Sequence, residues 1–385
     1  MVSFNIKKDI SEKGKMKQRQ KLLKSMIRSD LTELFQTSLD INKVAKKNCE
    51  NFIGSVEIPV GLAGPLQIQS DILPKQIIIP LATTEGALVA STNRGAKVIN
   101  LSQTGKVLVK KIGMTRAPVF KCQDITAAQE FKTFLEDNFV ELKKISESTS
   151  NHLKLLSFNC WTRGQYVFVR FVFDTDKAMG MNMVTIALKH VWSEYVSKKT
   201  KAELISLSGN VCADKKDSLV NRILGRGYSV EAEVFIPPEI VTEVLQTTKE
   251  KFYETHIVKN LIGSNIAGSF SQNMQAANII AAVFLATGQD VAHVVEASQC
   301  ATTVTIEGEN LYVAVSLPNI NLGVTGGGTW LPAQAQARKL IQEGGEIDSK
   351  QLAAAVGIGV LAGEISGLAS LANNSLADAH QKFAR

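Results

Sequence analysis

The chain has 385 residues, 45% of them hydrophobic and 21% charged, and a formal net charge of +7 at pH 7. This length and composition allow a large buried core and predict two domains, or one domain with a sizeable insertion. The positive charge is concentrated at one end, because residues 1–50 hold 12 Lys and Arg against 6 Asp and Glu. The rest of the chain is nearly neutral and has no zinc finger or aromatic-basic repeat, so nucleic-acid binding is disfavoured.

Residues 1–48 predict a basic helical arm. This segment has lysines throughout and no apolar run, so it does not read as a signal peptide, and a cytoplasmic location is expected. The cysteines are odd in number and show no CxxC spacing, which favours reduced thiols over disulfides or a zinc site; no metal is expected. They are Cys49, Cys122, Cys160, Cys212 and Cys300.

The stretch "PLATTEGALVASTNRGAKVI", residues 80–99, predicts a strand followed directly by a small-residue helix whose first residue is Glu85. Two interpretations are open for this glutamate. Thr83 and Thr84 can cap a helix, and an acid in the first turn suits the helix dipole. Alternatively, a carboxylate among Ala, Leu, Val and Gly has a chemical role.

Residues 117–205 differ in sequence pattern from the rest of the chain. A charged helix, "TAAQEFKTFLEDNFVELKKI", precedes an alternating strand, "GQYVFVRFVFD", a Met/Gly loop and a helix around "VTIALKHVWSEYV". This pattern predicts a small α+β unit inserted in a larger fold. Beyond it, "AANIIAAVFLATG" and "LAAAVGIGVLAG" fall short of the roughly 20 residues that a bilayer requires, so buried helices are expected.

Four polar side chains stand out in small-residue settings. Besides Glu85, they are Lys215 in the loop "SGNVCADKKD", Asp290 at the predicted end of an apolar helix, and His380 on the predicted last helix. Singly, each also reads as a cap, a surface lysine, a helix-end acid or part of a frayed helix. Together they supply an acid, a cation and a proton carrier, which is what reduction of a carbonyl group requires.

Two glycine-containing loops predict places where a backbone approaches a phosphate. They are "AMGMNM", residues 178–183, and "GVTGGGT", residues 323–329. Small residues there allow close approach, although tight structural turns are an equal alternative. Neither loop has a Rossmann or P-loop spacing.

Taken in order, ten motifs resemble the 3-hydroxy-3-methylglutaryl-coenzyme A (HMG-CoA) reductase family, over about residues 48–385. The match looks closer to the eukaryotic and archaeal branch, because of "AMGMNM" and the length of the tail. The motifs are "ENFIG", "PVGLAGPL", "ATTEGALVASTNRG", "GMTRAPV", "AMGMNM", "SGNVCADKK", "GRGYSVEAEVFIP", "KNLIGSNIAGS", "GQDVAH" and "TGGGT".

The resemblance implies reduction of a thioester to an alcohol with two NADPH, giving mevalonate and free coenzyme A. It implies that Lys215 stabilises the oxyanion and that His380 protonates the departing thiolate. Glu85 would supply the proton for the second reduction, and Asp290 would tune the cluster. We expect Glu85, Lys215 and Asp290 to titrate as one coupled group.

The resemblance also implies binding residues. Those for the hydroxymethylglutaryl group are Arg116, Ser208, Asn210, Asp214, Lys216, Lys259 and Asn278. Those for the nucleotide are Lys177, Met179, Gly180, Met181, Asn182, Gly326, Gly327, Gly328 and Arg385.

The implied fold is α/β (α+β), with a large domain around a buried central helix and an inserted ferredoxin-like small domain that binds NADP. The boundaries are 1–48 for the arm, 49–116 and 206–385 for the large substrate, coenzyme A and dimerisation domain, and 117–205 for the small domain. "ENFIG" (Glu50 to Gly54) resembles a dimerisation motif, so a homodimer or higher homo-oligomer is expected. Neither nucleic acid nor a membrane is expected as a partner.

Two departures from the family pattern matter. Lys177 stands where the family has an aspartate, which predicts a preference for NADPH over NADH; Arg385 supports the same preference. Gln275 stands where a histidine is common, in a stretch one residue shorter than usual. Two other functions stay open: a coenzyme-A-dependent lyase with Lys215 as its Schiff-base lysine, and a non-catalytic coenzyme A or nucleotide-binding protein.

Overall fold

The computed structural model describes residues 4–6, 9–375, 377 and 381. The strands are β1 (Val60–Gln67), β2 (Gln76–Ala82), β3 (Lys106–Arg116), β4 (Val119–Lys121), β5 (Lys154–Arg163), β6 (Tyr166–Asp174), β7 (Glu203–Ser206), β8 (Gly227–Ile236), β9 (Ala301–Glu307) and β10 (Asn310–Ile320).

Helices surround these strands. The α-helices are α1 (Glu12–Met26), α2 (Thr32–Phe35), α3 (Ile41–Lys47), α4 (Leu88–Ser102), α5 (Ile125–Asp137), α6 (Phe139–Glu147), α7 (Met181–Val191), α8 (Ser197–Lys199), α9 (Leu219–Leu224), α10 (Pro238–Glu243), α11 (Lys249–Thr255), α12 (Ser264–Ile266), α13 (Ala276–Thr287), α14 (Val294–Ala297), α15 (Pro332–Lys339) and α16 (Ser349–Ala372). Two π-helical segments (Trp192–Val196 and His256–Gly263) and a 3₁₀ turn (Val291–His293) complete the set.

The main sheet is antiparallel, with strand order β7-β4-β6-β3-β8-β10-β9, and β5 pairs with β6. Strand β3 joins its two halves, because Lys106–Gly113 pairs with β8 and the end of the strand, Met114–Arg116, pairs with β6. Strands β1 and β2 form a separate two-stranded sheet. The end of β3 therefore lies between the two halves, which places Arg116 at their junction.

The largest hydrophobic cluster lies around α16. This helix and α13 confirm the expectation of buried apolar helices. By length and composition α16 could cross a bilayer, but its apolar window is entirely buried, as in a core helix. Helix α4 contacts it closely: a Cβ added to Gly95 would lie 1.9 Å from the Ala362 carbonyl oxygen. Only glycine permits this contact, which sets α4 against the core.

A buried carboxylate ties α16 to the start of α13. Glu364 accepts hydrogen bonds from the backbone N–H groups of Met274 and Gln275, both at 2.7 Å, and from the Thr302 hydroxyl at 2.7 Å. Burial raises the pKa of this carboxyl group. The Gln275 side chain points into the same core and donates to the Gly363 carbonyl at 2.7 Å. The residue that departs from the family pattern thus lies in a structural contact.

A second cluster of buried residues draws on β4, β5, β6, α5, α6 and α7. The strand expected in "GQYVFVRFVFD" is β6, and its side chains Val167, Val169, Phe171 and Phe173 lie in this cluster. The single charged helix expected before it is wrong. The structure has α5 and α6, separated at Asn138, whose side chain accepts a hydrogen bond from the Tyr195 hydroxyl at 2.6 Å.

The basic arm packs onto the protein through a third, small cluster. Met16, Val44 and Phe52 are buried together, with Trp330 and Leu331 against them. Arg19, although charged, is buried and donates to the Phe52 carbonyl at 3.3 Å. The segment is helical as expected within its described residues, but one of its faces is packed rather than solvated.

Candidate active site

The loop after β7 carries five of the expected site residues. It contains Ser208, Asn210, Asp214, Lys215 and Lys216 between β7 and α9, as the sequence predicted. Three of its backbones adopt positive φ: Asn210 at 62°, Ala213 at 49° and Lys215 at 56°. Such conformations are uncommon outside glycine and concentrate at functional sites.

Buried hydrogen bonds hold the residues just before Lys215 in place. Cys212 is fully buried, as expected of a small apolar residue, and its carbonyl accepts from the Thr115 hydroxyl at 3.3 Å. The buried Asn221 side chain donates to the Ala213 carbonyl at 3.0 Å. With the preceding residues held in this way, the loop presents the Lys215 side chain to the surface, 40% exposed.

Lys215 forms an ion pair with Asp290, with 2.7 Å between Nζ and Oδ2. Burial acts to raise the pKa of Asp290, but the hydrogen bond from Lys215 and the charge of His293 outweigh it, so this pKa lies below its ordinary value. The expected end of an apolar helix at Asp290 is wrong: α13 ends at Thr287, and Asp290 caps the next turn by accepting from the Ala292 N–H at 3.1 Å.

Glu85 lies in a turn and does not begin the helix. Helix α4 starts at Leu88, because Ala87 adopts a left-handed φ of 69° and interrupts the expected helix. The Glu85 backbone N–H donates a hydrogen bond to the Thr83 hydroxyl oxygen at 2.9 Å. The exposed Glu85 carboxylate accepts a hydrogen bond from Asn278 Nδ2 at 3.1 Å. Within the described part of the chain, Glu85 makes no ion pair with Lys215.

The expected binding residues fall into two groups. Around Lys215, Arg116 lies 4.0 Å from the Asp214 carboxylate, Lys216 donates to the Asp214 carbonyl at 3.3 Å, and Ser208 Oγ lies 3.8 Å from Cys212 Sγ. Asn210 is exposed.

The second group contains Lys259, Asn278 and Glu85. Lys259 donates to the Asn273 carbonyl at 3.4 Å, just before α13, which carries Asn278. No hydrogen bond or ion pair between described side chains joins this group directly to Lys215.

The two glycine-containing loops lie side by side. Ala178 and Thr325 form a parallel bridge, and the Val324 N–H donates to the Lys177 carbonyl at 2.9 Å. A Cβ added to Gly323 would lie 2.4 Å from the Met179 nitrogen. Among the nine expected nucleotide-binding residues, Met179, Gly180, Met181, Asn182, Gly326, Gly327 and Gly328 therefore lie in one region, and the exposed side chain of Lys177 lies beside them.

This region adjoins the Lys215–Asp290 pair. The Gln289 side chain, next to Asp290, accepts from the Gly323 N–H at 3.0 Å. His380 and Arg385, the two remaining expected residues, lie outside the described residues.

Three functional candidates were missed by sequence reasoning: Arg226, His293 and Glu296, all fully buried behind Asp214 and Asp290. Arg226 pairs with Asp214 at 3.0 Å and also with Glu296, and it donates to the Thr115 hydroxyl at 2.9 Å and to Met181 Sδ at 2.8 Å. The available signals were the arginine of "GRGY" and the three-residue spacing that follows Asp290, D-x-x-H-x-x-E. Arg226 thus connects the lysine loop to the start of α7.

Asp214, His293 and Glu296 offer ligand-type atoms within 4.8 Å of one another. The guanidinium group of Arg226 is bonded to both carboxylates and already supplies the positive charge there. We therefore assign no metal to this cluster.

Comparison with known proteins gives a consistent result. The family model for hydroxymethylglutaryl-coenzyme A reductase matches residues 15–385. The 3-hydroxy-3-methylglutaryl-coenzyme A reductase of Haloferax volcanii is 43% identical over 348 residues, which cover 89% of this chain and 86% of that protein. Reductase 1 of Dictyostelium discoideum is 41% identical over 378 residues, which cover 95% of this chain and 68% of that protein.

Among solved structures, a class II 3-hydroxy-3-methylglutaryl-CoA reductase from Streptococcus pneumoniae, bound to NADPH in open conformations, superimposes with a TM-score of 0.70. It is 18% identical, and the match covers 96% of this chain and all of that one. At this identity the likeness supports the fold. Archaeal and eukaryotic relatives above 40% identity carry the assignment, in line with the branch that the motifs favoured. The chain belongs to the hydroxymethylglutaryl-coenzyme A reductase family.

Proposed function

We propose that this protein reduces HMG-CoA to mevalonate and free coenzyme A with two NADPH, and so makes a precursor for isoprenoid synthesis. The observation that carries the proposal is the Lys215–Asp290 pair, 2.7 Å apart and adjoining the two glycine loops. An ammonium group at this point can stabilise the oxyanion that forms at a thioester or aldehyde carbonyl. Family membership favours this function over the lyase and the non-catalytic alternatives.

The residues present fit a bound NADPH. Gly326 and Gly327 have positive φ and open space where a Cβ would be, so their backbone N–H groups are accessible. NADPH would be held by Lys177, by Met179 to Asn182 and by Gly326 to Gly328, with Arg385 at the 2′-phosphate. When bound, it supplies the hydride for each of the two reductions.

The protein's own residues would stabilise charge and donate protons. Asp290, ionised, binds the Lys215 ammonium group through the ion pair and directs it at the carbonyl oxygen. Arg116, Ser208, Asn210, Asp214, Lys216, Lys259 and Asn278 would bind the hydroxymethylglutaryl group. Glu85 would protonate the oxygen of the second step, and His380 would protonate the coenzyme A thiolate as it leaves.

We propose that separate segments of the chain bind the nucleotide and the substrate. Residues 117–205, which include most of the second hydrophobic cluster, would form the small NADP-binding domain. Residues 49–116 and 206–385 would bind substrate and coenzyme A, and residues 1–48 form the basic arm. We place the protein in the cytoplasm, in keeping with its unpaired cysteines.

We propose a homodimer or higher homo-oligomer as the active unit. Two observations support it. Among the described residues, no hydrogen bond or ion pair joins Glu85 or Asn278 to the Lys215 group, so a neighbouring subunit can complete the site. Val258, Ile262 and Ile266 also form an exposed apolar stripe along one helical run, with Ile266 82% exposed.

The test is HMG-CoA-dependent loss of NADPH absorbance by the purified protein. The proposal predicts turnover with HMG-CoA and none without it. Borohydride treatment with substrate, followed by mass spectrometry of the Lys215 peptide, separates the lyase alternative. A reductase gives no adduct, whereas a reduced Schiff base on Lys215 without NADPH turnover would contradict the proposal.

A further inference from the structure

Behind the Lys215–Asp290 pair lies a buried charged layer that the proposed mechanism does not use. Its members are His293, Glu296 and Arg226, and none of the three is accessible to solvent. Burying charged groups is costly unless they are paired, and Arg226 and Glu296 pair with each other. His293 is the member that faces the catalytic pair.

The orientation of His293 follows from its partners. Nδ1 lies 2.8 Å from Glu296 Oε1, and because a carboxylate accepts hydrogen bonds, Nδ1 carries a proton and donates it. Nε2 then points the other way. Buried and without a hydrogen-bond partner among the described residues, it lies 3.8 Å from Asp290 Oδ2.

The two oxygens of Asp290 have different surroundings. Oδ1 accepts from the Ala292 N–H at 3.1 Å, which fixes that side to the backbone. Oδ2 lies between Lys215 Nζ at 2.7 Å and His293 Nε2 at 3.8 Å. The oxygen that binds the lysine is therefore the one that faces the histidine.

The other charges around His293 are few. Asp214 Oδ1 lies 3.9 Å from Nδ1, on the same side as Glu296. Arg226 is bonded to both of those carboxylates and offsets their charge. On the Nε2 side, Asp290 is the charged group that an ion-pair distance connects to the ring.

We propose that His293 is a positioning residue for the reaction: as an imidazolium it carries a proton on Nε2 as well as on Nδ1, and the Nε2–H group holds Asp290 Oδ2 in the orientation that binds Lys215. The inference rests on the proposed function in one respect, that Lys215 acts on the substrate carbonyl. A buried polar nitrogen left unpaired costs stability, so its retention 3.8 Å from the catalytic pair calls for a use. A small loss of orientation at Lys215 would lower the rate substantially.

Two near-isosteric substitutions separate this role from a structural one. The asparagine amide occupies the position of Nδ1, so His293→Asn keeps a donor towards Glu296 and loses the group facing Asp290. The glutamine amide reaches the position of Nε2, so His293→Gln keeps the group facing Asp290 instead. His293→Ala loses both.

For HMG-CoA reduction, we expect His293→Asn and His293→Ala to lower kcat by about 10- to 100-fold with little change in KM for HMG-CoA. His293→Gln should stay close to the wild-type kcat. A role confined to holding Glu296 predicts the reverse order, with Asn better than Gln, and that order would overturn the proposal. Equal kcat for all variants would overturn it as well.

His256→Asn is the matched control. His256 is also buried, 2% exposed, and its ring contacts the Asn260 amide at 3.3 Å, with no hydrogen bond or ion pair to Lys215 or Asp290 among the described residues. The His256→Asn variant should have a lower unfolding temperature. At a temperature where it is folded, its kcat should equal that of the wild type. If it lowers kcat as His293→Asn does, the effect belongs to stability and the proposal fails.

A second readout does not depend on activity. Acetic anhydride acylates a neutral amine, so a lysine released from its ion pair reacts faster. The Lys215 peptide is compared by mass spectrometry with that of Lys198, whose exposed partner is Glu194 at 2.8 Å. We expect the ratio of Lys215 to Lys198 acylation to rise in His293→Asn and to stay at the wild-type value in His293→Gln. An equal ratio in the wild type and in both variants would refute the positioning role. A wild-type protein without NADPH turnover would refute the proposed function and leave this measurement decisive for His293.

Discussion

Lys215 is positioned by its backbone as well as by its partner. A lysine at φ 56° occupies a left-handed conformation that costs about 1–3 kcal/mol and persists where the surroundings enforce it. The surroundings here are the buried Cys212 below the loop and Asp290 in front of it. The same ammonium group therefore has a fixed location before substrate arrives, which is what stabilisation of an oxyanion requires.

Lys215→Ala should reduce kcat for HMG-CoA by about 10²–10³-fold or more, because a preorganised charge at the oxyanion is lost. The unfolding temperature should change little, since the side chain is 40% exposed. Steady-state assays with HMG-CoA and with mevaldehyde measure both steps. Lys198→Ala, at an exposed ion pair on the surface, is the control. Wild-type turnover by the Lys215 variant would remove the lysine from the mechanism.

We expect Lys177 to govern a different property, the choice of nucleotide. Its exposed side chain follows Asp176, whose carboxylate is bonded to His152 at 2.8 Å. We expect Lys177→Asp to weaken NADPH more than NADH by about 1–2 kcal/mol, because a charge-assisted contact to the 2′-phosphate becomes a repulsion. Deletion of Arg385 should act in the same direction.

The ratio of kcat/KM for NADPH and NADH measures this effect. Lys201→Asp, at an exposed loop lysine, is the charge-matched control and should leave the ratio unchanged. If the NADPH/NADH ratio of kcat/KM equals the wild-type ratio in both Lys177→Asp and the Arg385 deletion, neither residue recognises the 2′-phosphate.

Among the structural elements, the proposed nucleotide region contains two loops in backbone contact. Gly323 is the closest point, because any side chain there would meet the Met179 nitrogen. Gly323→Ala should separate the loops and lower kcat/KM for NADPH by about tenfold or more, with a smaller change in KM for HMG-CoA.

The control for this variant is Gly14→Ala, where an added Cβ meets atoms no closer than 3.4 Å. Initial rates at varied NADPH and fixed HMG-CoA provide the comparison. If KM for HMG-CoA rises while that for NADPH stays constant, the two loops do not form the nucleotide site.

Sequence reasoning predicted the elements that one property dominates. Helices α13 and α16 are mostly apolar, and β6 alternates, so their burial could be read directly from composition and period. The start of α4 could not, because the left-handed backbone of Ala87 is set by tertiary contacts and leaves no sequence signal. The break at Asn138 was missed because the apolar periodicity continues across it.

The site was predicted to a similar, limited extent. Lys215 and Asp290 are 75 residues apart, and a family resemblance brought them together where local pattern could not. Arg226, His293 and Glu296 were missed because burial of charged residues appears only when their partners are known. A spacing such as D-x-x-H-x-x-E becomes informative once Asp290 is placed.

In the molecule as a whole, the expected site residues form two groups, and no hydrogen bond or ion pair between described side chains joins them. Glu85, Lys259 and Asn278 form one, and the Lys215 loop forms the other. The exposed apolar side chains of Val258, Ile262 and Ile266 flank Lys259 along the same helical run. Association through such a stripe would bury apolar surface close to the site.

Light scattering should show at least a dimer at assay concentration. Ile266→Glu should shift the protein towards monomer and lower activity in parallel, because it places a charge in the apolar stripe. Val140→Glu, at an equally exposed valine on α6, should change neither. A fully active monomer would contradict the dimeric site.

Stoichiometry tests most directly whether a four-electron reduction takes place at the Lys215–Asp290 pair. NADPH consumption is followed by absorbance, and free coenzyme A is titrated as thiol in the same reaction, with limiting HMG-CoA. We expect about two NADPH to be consumed for each thiol released, as two hydride transfers to one acyl carbon require. Thiol release without NADPH consumption, or a ratio of one with an aldehyde as the final product, would contradict it.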